Sequence, residues 1–155
     1  METLALDFDG VIRKFPYPVR KYADFLSPND LLVRAKLFFI RKLLCKIFMH
    51  YIPTVLDGEL IDAVNKYWDG RVIIVTGRCR EREKKEVLRL LCPCLKFDKI
   101  YFREDCAEYE EKFKERVLKK EKVDYYFEDR AYVVKYLRKK GINVIKIDEI
   151  RRSRF

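Results

Sequence analysis

Two kinds of segment alternate along most of this chain, and that alternation restricts the fold more than any other feature. Short apolar runs with β-branched or aromatic content lie at Thr3–Phe8, Val72–Val75, Ile100–Phe102, Tyr125–Phe127 and Val144–Ile147. Between the later runs stand charged segments with helical spacing of their apolar residues. Cys79–Leu91 carries Val87, Leu88, Leu90 and Leu91, and Ala107–Lys120 carries Phe113, Val117 and Leu118. Arg130–Lys140 carries Val133, Val134 and Leu137, and Gly141 then stops it. Strands alternating with helices predict an α/β fold, a parallel sheet covered on both faces. Ligands of such sheets sit beyond the carboxyl ends of the strands.

Composition narrows the classes. A chain of 155 residues, 49% of them hydrophobic, is long enough for one domain with a sizeable core and too apolar for general disorder. Spanning helices and a secretory leader are not indicated. The odd cysteine count, with Cys45, Cys79, Cys92, Cys94 and Cys106 in no framework spacing, argues for reduced thiols and a cytoplasmic setting. Cys92-Pro93-Cys94 reads as a helix-ending loop with two small buried residues. A single histidine, His50, removes His-pair zinc motifs and disfavours a Ser-His-Asp triad, and no P-loop signature occurs. Chemistry here must rest on carboxylates, a metal and cations.

The charge, +10 in all, is concentrated. Residues 13–52 hold nine Lys/Arg against two Asp, and the tail Arg151-Arg152-Ser153-Arg154 adds three more cations. The long stretch between Asp9 and the second strand divides accordingly. Leu56–Trp68 reads as a helix returning to the sheet, started near Asp57. Before it, residues 29–52 read as a basic amphipathic helix. Val33, Leu37, Ile40, Leu44, Ile47, Phe48 and Tyr51 share one face, with Arg34, Lys36, Arg41, Lys42, Lys46 and His50 opposite. The expected organisation is a core of residues 1–12 and 54–155 with a small helical cap or insert at 13–53. That insert suits either a lid with snorkelling cations or a helix on an anionic membrane surface or polyanion. Docking on lipid would make the protein peripheral at a membrane, and an exposed apolar helix face would favour pairing.

Three strand ends carry chemistry-bearing residues. In Leu4-Ala5-Leu6-Asp7-Phe8-Asp9-Gly10-Val11 a buried strand runs into carboxylates two residues apart, which in extended chain face one volume. Such carboxylates repel unless a cation or proton lies between them, and Mg²⁺ suits an all-oxygen set. Ile73-Ile74-Val75-Thr76-Gly77-Arg78 ends in a hydroxyl, a glycine that lets backbone amides approach a phosphate, and a guanidinium fork. Tyr125-Tyr126-Phe127-Glu128-Asp129-Arg130 ends in adjacent acids, a further metal ligand with a neighbour to orient water.

This ordered set, DxDGV, hydrophobic-Thr-Gly-Arg, a lysine-bearing helix and an acidic pair, resembles the haloacid dehalogenase (HAD) superfamily of phosphatases over residues 4–147. Arg103-Glu104-Asp105, Glu110-Glu111, Phe113 and Glu128-Asp129-Arg130-Ala131-Tyr132-Val133-Val134 look closest to the 3′-phosphatase domain of phage-type polynucleotide kinase. The resemblance implies a Rossmann-like core and a Mg²⁺-dependent phosphomonoester hydrolase working through an aspartyl-phosphate on Asp7. Asp9 would be the acid and base. Asp7, the Asp9 carbonyl and Asp129, with Glu128 beside them, would serve the metal. Thr76, Gly77 and Arg78 would bind phosphoryl oxygens, with Asp105 and Arg130 on the substrate side. The family's lysine position falls on Tyr109, so the expected lysine is Lys112, one turn on, with Lys114 in reserve. The implied substrate is a nucleotide or polynucleotide end phosphate. A lipid phosphate ester, and a non-catalytic fold that binds nucleic acid or a partner, are the alternatives.

Overall fold

A computed structural model describes residues 1–14 and 55–152 of the chain. The expected insert, with its helix at 29–52 and its lid or membrane role, lies outside the described residues, as does Cys45.

The apolar runs become one five-stranded parallel sheet: β1 (Thr3–Leu6), β4 (Arg71–Thr76), β5 (Lys99–Phe102), β6 (Tyr125–Glu128) and β7 (Val144–Lys146). The strands lie in the order β5-β4-β1-β6-β7, so β1 is central. Leu6 registers with Ile74 on one side and Phe127 on the other. The chain winds outward from β1 through β4 to β5, then crosses to β6 and β7 on the opposite side. The direction reverses at β1, and there a crevice opens at the carboxyl ends of neighbouring strands.

Alternation along the strands divides the core in two. Leu4, Leu6, Phe8, Val72 and Ile74 point to one face and meet Ile61 and Val64 of α1 (Gly58–Tyr67), Val87 and Leu91 of α2 (Glu81–Leu91), and Ile147 of α5 (Ile147–Arg152). Ala5, Ile73, Val75 and Tyr126 point to the other. They meet Phe113, Val117 and Leu118 of α3 (Glu110–Lys120) and Val133, Val134 and Leu137 of α4 (Ala131–Lys139). Helices therefore lie on both faces, which is why the strands read as continuous apolar runs. Among the described residues, a hollow of about 810 Å³ lined by Leu4, Tyr125, Phe127 and Ile145 lies over β6 and β7 on the first face. The α/β, Rossmann-like architecture with helices on both faces is as expected.

The helices begin and end for local reasons. Asp57 caps α1 by accepting from the Leu60 amide at 3.3 Å. Gly141, at φ +76°, takes the left-handed turn that closes α4. The last apolar run stops short of its expected end. Ile147 opens α5 instead of closing β7. A small antiparallel pair, β2 (Arg13–Lys14) with β3 (Val55–Leu56), sets Lys14 opposite Val55. Both strands are too short to show a period in the sequence.

The expectation of reduced thiols is corrected. Cys79, just past β4, forms a disulfide with Cys106 in the β5–α3 connection. Their separation of 27 residues is no framework spacing, and only the fold brings the two loops together. Cys92 and Cys94 are free, but exposed rather than buried, because they stand in the turn after α2 rather than on its inner face. Among the described residues no helix is long and apolar enough to cross a membrane.

Candidate active site at the carboxyl end of the central strand

Asp7 follows β1 directly and is fully buried. Its amide continues the ladder to the Phe127 carbonyl at 3.0 Å, so the backbone is still held as sheet where the carboxylate starts. The chain then coils tightly. The Arg13 amide donates to the Phe8 carbonyl and the Gly10 amide to the Arg13 carbonyl, each at 2.8 Å. Gly10 sits at φ +84°, and a Cβ there would lie 2.0 Å from Asp129 Oδ2. Glycine thus serves both the turn and the approach of Asp129 to the end of β1.

On the α3 side of the sheet, Lys114 is fully buried, with Nζ 3.2 Å from Asp7 Oδ2, 2.6 Å from Glu128 Oε2 and 2.8 Å from Glu110 Oε1. Burial works to discharge this amine, but Asp7, Glu110 and Glu128 hold its pKa well above the ordinary lysine value. Glu110 also takes both guanidinium nitrogens of Arg130 at 2.5 Å, and Arg130 stands 4.0 Å from Asp7. Burial alone would raise the Glu110 pKa, but Arg130 and Lys114 hold it far below the usual carboxylate range. A Cβ on Gly77 would fall 2.4 Å from the Glu110 carboxyl carbon. Gly77 therefore clears space for Glu110 where the sequence suggested room for a ligand.

The carboxylates of this cluster differ in how they are satisfied. Glu128 accepts from Lys114 Nζ, from the Tyr126 hydroxyl at 2.9 Å, and from the Asp129 and Arg130 amides at 3.1 and 3.2 Å. Neither oxygen of Asp7 has a hydrogen-bond partner among the described residues, nor does Asp129 Oδ1. Lys114 is within ion-pair range of Asp7, but its hydrogen bond goes to Glu128. Burial, with the charge of Glu128 beside it, pushes the Asp129 carboxyl up to about 8. Burial likewise drives Asp7 well above the ordinary range, against the pull of Lys114.

One oxygen each from Asp7, Glu128 and Asp129 lie within 4.8 Å of one another. Among the described residues the cluster of Asp7, Glu110, Glu128 and Asp129 has Lys114 and Arg130 as its ion-pair partners. With all four carboxylates ionised the cluster would carry two surplus negative charges, which the raised pKa of Asp7 and of Asp129 relieves by protonation. A hard divalent cation fits the same orphaned buried oxygens and would take the place of those protons. Asp7 and Asp129 have the lone pairs for it, whereas those of Glu128 are committed.

Asp9 is held by different partners. Arg78 grips it with Nε at 2.8 Å and a terminal nitrogen at 2.9 Å, and Arg13 lies 3.6 Å away. Burial would raise the Asp9 pKa, but Arg78, Arg13 and Arg130 hold it below the usual value. The remaining arm of Arg78 reaches Glu86 of α2 at 3.1 Å. Arg78 was expected on phosphoryl oxygens; its fork is instead spent on two carboxylates. Thr76 is buried at the end of β4, its hydroxyl accepting from the Arg78 amide at 3.4 Å.

Two further expectations are corrected. Lys112 is exposed, with Nζ over the Tyr109 ring at 5.5 Å, and it is Lys114 that reaches Asp7. Asp105 lies on an exposed turn, where it accepts from the Ala107 amide at 2.8 Å, because the β5–α3 connection carries it away from the strand ends. Glu110 entered the sequence reading only as part of the resemblance and without a role, and Tyr126 and Arg13 carried none. A signal existed for the first: Glu110, Lys114 and Leu118 recur every four residues on the face α3 buries.

No family model and no curated protein matches the chain. Among solved structures, it resembles a chain of the "Structure of the Pnkp1/Rnl/Hen1 RNA repair complex" with a TM-score of 0.56 and 16% identity. The match covers 94% of this chain and 42% of that one. The chain therefore spans less than half of its neighbour's length, and at this identity the likeness is one of fold.

Proposed function

We propose that this protein is a Mg²⁺-dependent phosphomonoester hydrolase that transfers the phosphoryl group to Asp7, and that its substrate is the end phosphate of a polynucleotide. The observation that carries the reading is the buried Asp7 carboxylate. Its oxygens have no hydrogen-bond partner among the described residues, and it stands 3.2 Å from the Lys114 ammonium, beside Asp129 with its own orphaned Oδ1, where the strand order reverses. A structural ion pair would satisfy its oxygens; a nucleophile leaves them free.

Asp7, Asp129 and the Asp9 carbonyl would hold the metal, which when bound neutralises negative charge between carboxylate and phosphate. An Asp7 oxygen attacks phosphorus and the bond to the ester oxygen breaks, with that oxygen taking a proton from Asp9. Water then attacks the phosphorus of the acyl phosphate, giving its proton to Asp9 and releasing inorganic phosphate. Lys114 and Arg130 face the charge that develops on the phosphoryl oxygens. Arg78 keeps Asp9 ionised in the free site. A phosphate dianion brought alongside raises the Asp9 pKa, which favours the protonated form the first step needs.

The polynucleotide reading draws on the resemblance of the second half of the sequence and on the fold shared with a member of an RNA repair complex. The test is a screen of aryl phosphate, 3′- and 5′-nucleotides, RNA and DNA ends, sugar phosphates and phosphatidylglycerol phosphate, with Mg²⁺ or with chelator. Turnover that needs Mg²⁺ and disappears in Asp7→Asn is expected. No turnover of any substrate with any divalent metal would leave the non-catalytic alternative standing.

A further inference from the structure

A shallow hollow of about 550 Å³ lies beside the candidate site, lined by Ala131, Val134, Lys135, Arg138, Lys139 and Lys146. One end of it lies at the carboxyl edge of the sheet, adjacent in sequence and register to the site. Ala131 directly follows Arg130, and Lys146 at the end of β7 registers with Glu128 at the end of β6. From there it runs down α4, where Lys135 and Lys139 stand one turn apart and exposed. Arg138 is tied to the Val144 carbonyl at 3.0 Å and to Glu149 at 3.2 Å. Lys135, Lys139 and Lys146 have no ion-pair or hydrogen-bond partner among the described residues, and the lining contains no carboxylate.

The fold gives these lysines little to do. Cations in the last turn of a helix complement its dipole, which accounts for Lys139 but not for Lys135 in mid-helix or Lys146 on a strand. They line instead one basic trough that begins at Ala131, the residue after Arg130.

From this placement we infer that the trough carries the sugar-phosphate backbone leading away from an end phosphate held at Asp7, with Lys135, Lys139 and Lys146 on successive backbone phosphates. The inference rests on the phosphatase reading for the position of the chain end, and adds that the flanking nucleotides are bound as well as the terminal group. Phosphate contacts of this kind contribute affinity without reading sequence and weaken as salt rises.

The experiment compares the wild-type full chain with Lys135→Glu/Lys139→Glu/Lys146→Glu, and with the milder Lys→Gln triple in case charge reversal disturbs folding. Binding of a single-stranded RNA ending in a 3′-phosphate is followed by fluorescence anisotropy in chelator, across a salt series. Hydrolysis of an aryl phosphate and of a 3′-mononucleotide is measured with Mg²⁺. Three lost contacts predict about tenfold or more weaker RNA binding and a salt slope shallower by about 2. Small-substrate turnover should stay within about twofold, since only Coulomb effects screened by solvent reach the site.

Equal RNA affinity and slope in wild type and both triples overturn the inference, even if phosphatase activity is intact. Loss of binding to phosphatidylglycerol vesicles with RNA binding unchanged also overturns it, in favour of a membrane surface. If no substrate is hydrolysed but RNA binding still depends on the three lysines, the trough stands as a nucleic-acid surface and the catalytic reading falls.

Discussion

Lys112 and Lys114 lie two positions apart on one helix and differ in nearly everything physical. Lys114 shares the α3 face of Val117 and Leu118, so packing that face against the sheet carries its ammonium into the carboxylate cluster. Lys112 points to solvent. Lys114→Met should therefore cost about 3–5 kcal/mol, because it strands Asp7, Glu110 and Glu128 without their common counter-ion. Lys112→Met should stay within about 0.5 kcal/mol. Urea denaturation of the two variants checks this; equal midpoints would mean that Lys114 is not held where described. Gly10→Ala makes a second residue-scale case. The added Cβ meets Asp129 at a positive φ, so the variant should unfold at lower denaturant and lose any Mg²⁺-dependent activity, while Gly58→Ala, with open space around it, should fold normally.

At the scale of elements, two ties outside the sheet hold loops and helices near the site. The Cys79–Cys106 disulfide joins the connection after β4 to the one before α3, assisted by the Arg103 amide donating to the Arg78 carbonyl at 3.2 Å. Closing a loop of 27 residues is worth about 3–4 kcal/mol in unfolded-state entropy. Cys79→Ser/Cys106→Ser should lose that much in a denaturation experiment run without reductant, and the loss should vanish when reductant is present for both proteins. The other tie is Asp57, which caps α1 and accepts from Arg151 of α5 at 2.7 Å, with Lys14 of β2 at 3.1 Å. Burial would raise its pKa, but these donors prevail and hold it below the ordinary value. A depressed folded-state pKa gives stability that is complete above an ordinary aspartate's pKa of about 4 and lost as pH falls through the lower folded value. Asp57→Asn keeps a good cap without the charge. It should be less stable than wild type at neutral pH, and the gap should close on acidification below about pH 4. A gap that stays constant with pH would show that the charge contributes nothing.

For the whole molecule, the site is assembled from positions distant in sequence. Asp7, Glu110, Lys114 and the Glu128–Arg130 turn meet because β1 is central with β6 beside it, and Thr76 ends the strand on its other side. A cation that completes this cluster binds the folded chain alone and stabilises it by mass action, about 2.7 kcal/mol at a hundredfold excess over its Kd. Mg²⁺ should therefore raise the Tm of the wild type, and the rise should be absent in Asp129→Asn. An identical rise in the variant would put the cation elsewhere.

The sequence alone determined the layered α/β class, each strand of the sheet and the helices between them, because apolar runs and helical periodicity register burial directly. The identities of Asp7, Thr76 and the Glu128-Asp129 pair as strand-end residues were legible for the same reason. What it could not settle were relations between segments. Whether Arg78 faces a ligand or Asp9, which lysine enters the site, and that Cys79 meets Cys106 all depend on how loops cross at the sheet's carboxyl end. Those choices are made by packing and by the need to pair buried charge, and neither leaves a period in the chain. Only the tertiary structure brings the partners together, and with them the buried carboxylate oxygens, free of hydrogen bonds among the described residues, on which the proposed chemistry rests.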